Sequence, residues 1–114
     1  MKRIDKPWGV EEIIEINDRY MFKRLTMLKG HRCSLQYHNT KRETIYVLSG
    51  DLRILSGPSE KEMLAESFGP GGTITLAPGV VHRMEAAEDS VYLEASTPEL
   101  DDVVRIGDDY KRAG

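Results

Sequence analysis

Apolar and polar residues alternate with a period of two through most of the chain, the signature of half-buried strands. VEEIIEI (10–16) reads as one strand, closed by the turn pair Asn17–Asp18. Tyr20 to Leu28 reads as the next, with Met21, Lys23, Leu25 and Met27 on one face. If Leu25 and Met27 face the interior, Lys23 faces it too. A lysine in that position either snorkels to the rim or meets an anionic substrate. Lys29–Gly30 then turns the chain into SLQYH, a turn near Asn39–Arg42, and ETIYVLSG. After Gly50, DLRIL is a further strand and SGPSEK (56–61) a solvated turn. Pro70, Gly71 and Gly72 make a tight reversal, and TITLA and VVHRME flank Pro78–Gly79. A turn at Glu88–Asp89 precedes SVYLEAS (90–96). Roughly nine short strands at this spacing predict an all-β barrel or sandwich.

The two ends differ from this middle. Residues 1–9 read as an arm, where Pro7 removes a backbone donor and Gly9 permits a bend. Trp8 is expected to pack over a barrel seam or a partner subunit. Beyond the barrel at 10–96, the tail at 97–114 changes character. Thr97 before Pro98 resembles a helix start, with acidic residues crowding behind it, so a short C-terminal helical turn is expected.

Composition narrows the class. With 114 residues there is room for one small domain, and 39% hydrophobic against 31% charged describes a globular chain. A net charge of −3 without a lysine/arginine run argues against nucleic acid as a partner. The single cysteine, Cys33, cannot form an internal disulfide, which suits a reducing cytoplasm. No apolar run is long enough for a signal peptide or a membrane span. A barrel this small buries little of its surface, and pairing the edge of VEEIIEI with its copy would make a homodimer.

The chemistry sits between Gly30 and Gly50. Gln36 and His38, two residues apart, project from one face of a strand, and Ser34 shares that face. Glu43 opens the following strand, and His82 lies further on in APGVVHRM. An amide oxygen, two imidazoles and a carboxylate suit one divalent ion of the zinc, manganese, iron or cobalt type. Cys33 has the opposite parity to Gln36 and is expected to pack away from the metal. His31 reads as surface, and Asp101, Asp102, Asp108 and Asp109 as a solvated acidic face. Tyr92, Glu94 and Ser96 share a face whose direction the alternation leaves open.

Gly30, Gln36, His38, Glu43 and Gly50, followed by Gly71, Gly79 and His82, resemble the two motifs of the cupin superfamily. Gln36 stands where the first histidine of that motif is usual. SLQYH before a glutamate, with KPWG at 6–9 and DDVVRIGDDYKR at 101–112, is similar to type II phosphomannose isomerases. The resemblance implies a single cupin barrel, a double-stranded β-helix or jelly roll. It also implies a metal-dependent isomerase converting mannose 6-phosphate to fructose 6-phosphate, or acting on a related sugar or sugar phosphate. Glu94 matches a glutamate of the family's penultimate strand and is the candidate base. Arg105 and Arg112 match arginines that the family's tail brings over the barrel mouth, where Lys23 would join them. Two alternatives stand beside the isomerase: a non-catalytic sugar-sensing cupin and an iron-dependent dioxygenase.

Overall fold

In the computed structural model, which describes residues 1–109, the alternating segments form strands and nothing helical appears among them. The first sheet has the order β1 (Lys2–Lys6), β2 (Gly9–Ile16), β3 (Met21–Met27), then β10 (Ser90–Ser96), β5 (Glu43–Ser49) and β8 (Thr73–Leu76). The second runs β11 (Val104–Gly107), β4 (Leu35–Tyr37), β9 (Val81–Ala86), β6 (Leu52–Ser59) and β7 (Glu62–Phe68). Every pairing is antiparallel. The central pairings, β3 with β10 and β10 with β5, join segments far apart in sequence. The result is a jelly-roll barrel of two facing sheets.

Alternation explains which residues fill it. Ile45 and Val47 of β5, Leu25 and Met27 of β3, and Leu52 and Ile54 of β6 all point inward and are buried. Trp8 belongs to this same core rather than to a seam. Inside the barrel the filling is graded along the strands. Met27, Val47, Leu52 and Ala86 close one end with apolar side chains, whereas Lys23, Glu43, His82 and Glu94 are buried toward the other. The register sets this gradient, since Glu94 lies opposite Lys23 and Ile45, and Glu43 opposite Ser96 and Leu76.

Several expectations change. Residues 2–6 of the arm form β1, which covers β2, so VEEIIEI is not an open edge. The supposed turn at 56–61 is largely strand: β6 continues to Ser59 through an irregularity, and β7 follows as a seventh strand. Polar residues misled the reading there, because β7 is largely exposed on both faces. The helical turn expected after Thr97 is absent. The tail instead makes turns through Asp102 and then adds β11 to the open edge of β4, whose amides and carbonyls need partners. Arg112 lies outside the described residues.

Gly50 shows how tightly one turn is specified. Its φ is +93°, and a Cβ there would lie 2.4 Å from both the Asp89 carbonyl oxygen and the Ser90 hydroxyl. Gly71 has a similar φ of +88° but open space around it. Gly71→Ala should therefore cost about 1 kcal/mol from backbone strain alone, and Gly50→Ala about 2 kcal/mol or more. Urea unfolding of the two variants measures the difference; equal costs would mean that the close approach at Gly50 carries no weight.

Candidate metal centre and cavity

The short strand β4 and the entrance to β9 bring the first motif against the second. Gln36 is paired in register with His82 on one side and with Arg105 of β11 on the other. His38 follows β4 directly, Glu43 starts β5, and the Gly79 amide donates to the His38 carbonyl at 2.8 Å, tying the Pro78–Gly79 turn to the site. Ligand atoms of His38, Glu43 and His82 all lie within 4.8 Å of one another. All three residues are buried.

Both imidazoles are oriented by backbone carbonyls. His38 Nδ1 donates to the Asp102 carbonyl oxygen at 2.5 Å, and His82 Nδ1 donates to that of Val80 at 3.0 Å. Each ring then presents its Nε2 to Glu43 Oε1, at 3.2 Å from His38 and 3.0 Å from His82. In that tautomer Nε2 carries a lone pair, and two lone pairs converge on a carboxylate oxygen. His82 Nε2 is fully buried and makes no hydrogen bond with proper geometry among the described residues. Such an arrangement is satisfied by a cation. A proton on one ring would serve, and so would a divalent metal ion, for which the outer Nδ1–H bonds are the usual orienting contacts. The donor set fits the metal.

The electrostatics agree. Burial would push Glu43 up, but the adjacent imidazoles of His38 and His82 and the charge of Lys41 hold its carboxyl well below the ordinary range. For His38, burial works toward a lower pKa, yet the Glu43 hydrogen bond and charge outweigh it and raise the imidazole.

Beyond the triad lies a cavity of about 430 Å³. Gln36, His38 and Glu43 line it, and so do Leu100, Asp101 and Arg105 of the tail. A chain of buried charges also lines it. Glu11 contacts Lys23 at 3.1 Å, Lys23 reaches Glu94 at 3.8 Å, Glu94 meets Lys41 at 3.1 Å, and Lys41 lies 3.4 Å from Glu43 Oε2. Burial, then the Glu43 charge, pushes the Glu94 carboxyl up, against the pull of Lys41 and Lys23.

The structure thus brings together Gln36, His38, Glu43, His82, Glu94, Lys23 and Arg105, and settles that the Tyr92–Glu94–Ser96 face points inward. Lys23 does not snorkel: it is 5% exposed and directs its charge at Glu11 and Glu94. Ser34 is 1% exposed, and its hydroxyl donates to Gln36 Oε1 at 2.5 Å, so it holds the glutamine rather than facing the cavity. Cys33 does reach the cavity wall. Parity fails for it because residues 28–34 are not a regular strand. The sequence reading missed Lys41 and Glu11. Lys41 lies in the turn near Asn39–Arg42 yet shares the parity of Glu43, Ile45 and Val47; Glu11 shares that of buried Ile13. The acidic tail is only partly a solvated face: Asp101 and Asp109 are exposed, yet two of its carboxylates are engaged. The Asp102 carboxylate accepts the amides of Asn39, Thr40 and Lys41, and Asp109 binds Arg32 and Arg83.

Comparison with known proteins bears on this site. The family described as mannose-6-phosphate isomerase C-terminal matches residues 1–108. The chain is 29% identical to the xanthan biosynthesis protein XanB of Xanthomonas campestris pv. campestris, over 97% of this chain and 24% of that protein. It is 30% identical to the mannose-1-phosphate guanylyltransferase ManC of Salmonella typhimurium, over 97% of this chain and 23% of that protein. The chain therefore spans about a quarter of the length of these curated relatives. Among solved structures, the oxalate decarboxylase of Bacillus subtilis, described with Mn(II) centres, superposes with a TM-score of 0.79 at 18% identity, over 93% of this chain and 30% of that one. At that identity the likeness is one of fold, the double-stranded β-helix of the cupins. With the family match running from the first residue of β1's arm through the end of β11, the chain belongs to the mannose-6-phosphate isomerase C-terminal family of cupins.

Proposed function

We propose that this protein is a metal-dependent aldose–ketose isomerase of sugar phosphates, converting mannose 6-phosphate to fructose 6-phosphate or acting on a related pair. The observation that carries this reading is the convergence of two oriented imidazoles on Glu43, which lines a cavity that Arg105 also lines. Gln36, His38, Glu43 and His82 would hold one divalent ion of zinc, manganese, iron or cobalt. A divalent ion held there supplies Lewis acidity toward a carbonyl and its neighbouring hydroxyl. Glu94 is the proton carrier: its carboxylate takes the proton from C2 of the aldose and returns it to C1, while the hydroxyl proton passes from O2 to O1. Burial and the Glu43 charge raise this carboxyl above its ordinary range, the direction that helps it hold the proton between the two transfers. Lys41 and Lys23 position that carboxylate. Arg105 binds the phosphate, for which a planar guanidinium offers paired donors.

One observation favours a second reading. Glu94 Oε2 meets both Lys41 and Lys23, which suits a wall built to hydrogen-bond sugar hydroxyls without turning them over, as in a sugar-sensing cupin. A coupled assay with manganese, zinc, cobalt or iron supplied in turn, against free and phosphorylated hexoses, separates the two. The isomerase reading expects fructose 6-phosphate from mannose 6-phosphate, and His38→Ala or His82→Ala losing most bound metal by elemental analysis. Sugar binding without turnover at full metal occupancy would leave the sensor.

Arg105→Ala should weaken binding of the phosphorylated sugar by roughly 1.5–3 kcal/mol, up to about a hundredfold, with little effect on the free sugar. Calorimetric titration with both sugars reads this, and equal losses would discard the phosphate role. The pH dependence has a definite sign. The metal-free protein has His38 raised above 6.5, so this contribution to stability is complete below 6.5 and is lost as pH rises through the folded value. Glu43 contributes above 4.5 and loses its contribution as pH falls. Metal binding needs the histidines deprotonated, so it should reverse the upper limb. Thermal melts across pH should show metal-free stability falling through neutrality while metal-dependent stabilisation grows. Parallel profiles would exclude these histidines as ligands.

A further inference from the structure

We infer that Asp102, in the tail, is a positioning residue that sets both the spacing of His38 and Glu43 and the tautomer of His38. This rests on the metal reading above for its consequence, though not for its geometry. The Asp102 carboxylate accepts three successive amides, Asn39 at 3.0 Å, Thr40 at 2.7 Å and Lys41 at 2.9 Å. Those residues are the loop between the two ligands, so one carboxylate folds the connection that brings His38 Nε2 to within 3.2 Å of Glu43 Oε1. The same loop delivers Lys41 to Glu43 and Glu94. The Asp102 backbone carbonyl meanwhile accepts from His38 Nδ1, leaving Nε2 as the lone-pair nitrogen.

The two histidines differ in this respect. His82 is oriented by Val80, two residues away, so its geometry is built into its own strand entrance. His38 is oriented by a residue 64 positions along the chain. Half of the imidazole pair therefore depends on a docked tail. The docking does not depend on the Asp102 side chain alone. Thr97 and Arg42 exchange two hydrogen bonds at 3.0 Å, β11 pairs with β4, and Asp109 binds Arg32. Replacing the carboxylate should leave the tail attached and loosen the loop.

The experiment uses the full chain as wild type, Asp102→Ala and Asp102→Asn, with zinc as the probe. Zinc affinity, read by competition with a chromophoric chelator, should fall about 10- to 100-fold in Asp102→Ala, the usual effect of losing an outer-shell contact. Asp102→Asn, which keeps an acceptor oxygen, should recover part of it. In the metal-free proteins, nitrogen NMR of the imidazoles at mildly alkaline pH should show Nδ1–H on both histidines in wild type. In Asp102→Ala the main-chain carbonyl remains, but the loosened 39–41 loop no longer holds His38 against it, so the His38 preference should weaken while His82 keeps its own. Unchanged zinc affinity with an unchanged His38 tautomer would overturn the inference, as would equal disturbance of both histidines. If wild type binds no zinc, the metal reading fails, and the His38 tautomer alone decides whether Asp102 positions the ring. Should Asp102→Ala not fold, a Asp102→Asn variant with wild-type affinity and tautomer supports the acceptor's role, whereas collapse of the His82 signal with that of His38 counts against it.

Discussion

Five charged side chains are packed into one end of this barrel with almost no exposure, and the remaining architecture is compatible only with their alternation. An ion taken out of water costs several kcal/mol even after relaxation, and that cost is recovered only by close opposite charge. Glu11, Lys23, Glu94, Lys41 and Glu43 meet that condition by following one another in alternating sign, each within 3.8 Å of the next. Deleting one member would leave a neighbour buried and uncompensated. The register is therefore under two constraints at once: the apolar residues must fill the closed end, and Glu94 must stand opposite Lys23. Three carboxylates against two ammonium groups leave one negative charge over, and it is at Glu43 that both histidines converge.

Much of this was legible before any coordinates. Period-two alternation identified the barrel strands because the inward faces of β3, β5 and β10 are uniformly buried. The grouping of His38 with Glu43 was legible because turn glycines and strand parity fix where the two side chains point relative to one another. The same parity carried Lys41 and Glu11, had it been extended past the turn and across the first long strand. What alternation could not give was β7, where neither face is buried and no pattern forms. Nor could it place Cys33, which precedes β4 in an irregular stretch where parity has no meaning.

The tail illustrates a different limit. Its local signals, a threonine before a proline and a run of acids, are those of a helix start. Tertiary partners decide otherwise. The edge of β4 needs a strand, and the amides of the 39–41 loop and the guanidinium of Arg32 need carboxylates. Asp102, with three amide donors, has its pKa lowered to about 2, which marks how completely a residue of a seemingly solvated run is engaged. Local composition was a guide to charge here and a poor guide to position.

The placing of β10 between β3 and β5 has a consequence for how the molecule is made. Neither neighbour meets it until the chain has been synthesised through Ser96, long after β3 and β5, so the first sheet cannot close progressively behind a growing terminus. Non-local pairing of this kind makes for slow folding, because loop entropy is spent before contacts return it. Until that closure Glu94, the carboxylate that stands between Lys23 and Lys41, is absent, and the chain of buried charges is incomplete. The continuous run of paired charges thus appears only with the finished barrel, and in no shorter fragment.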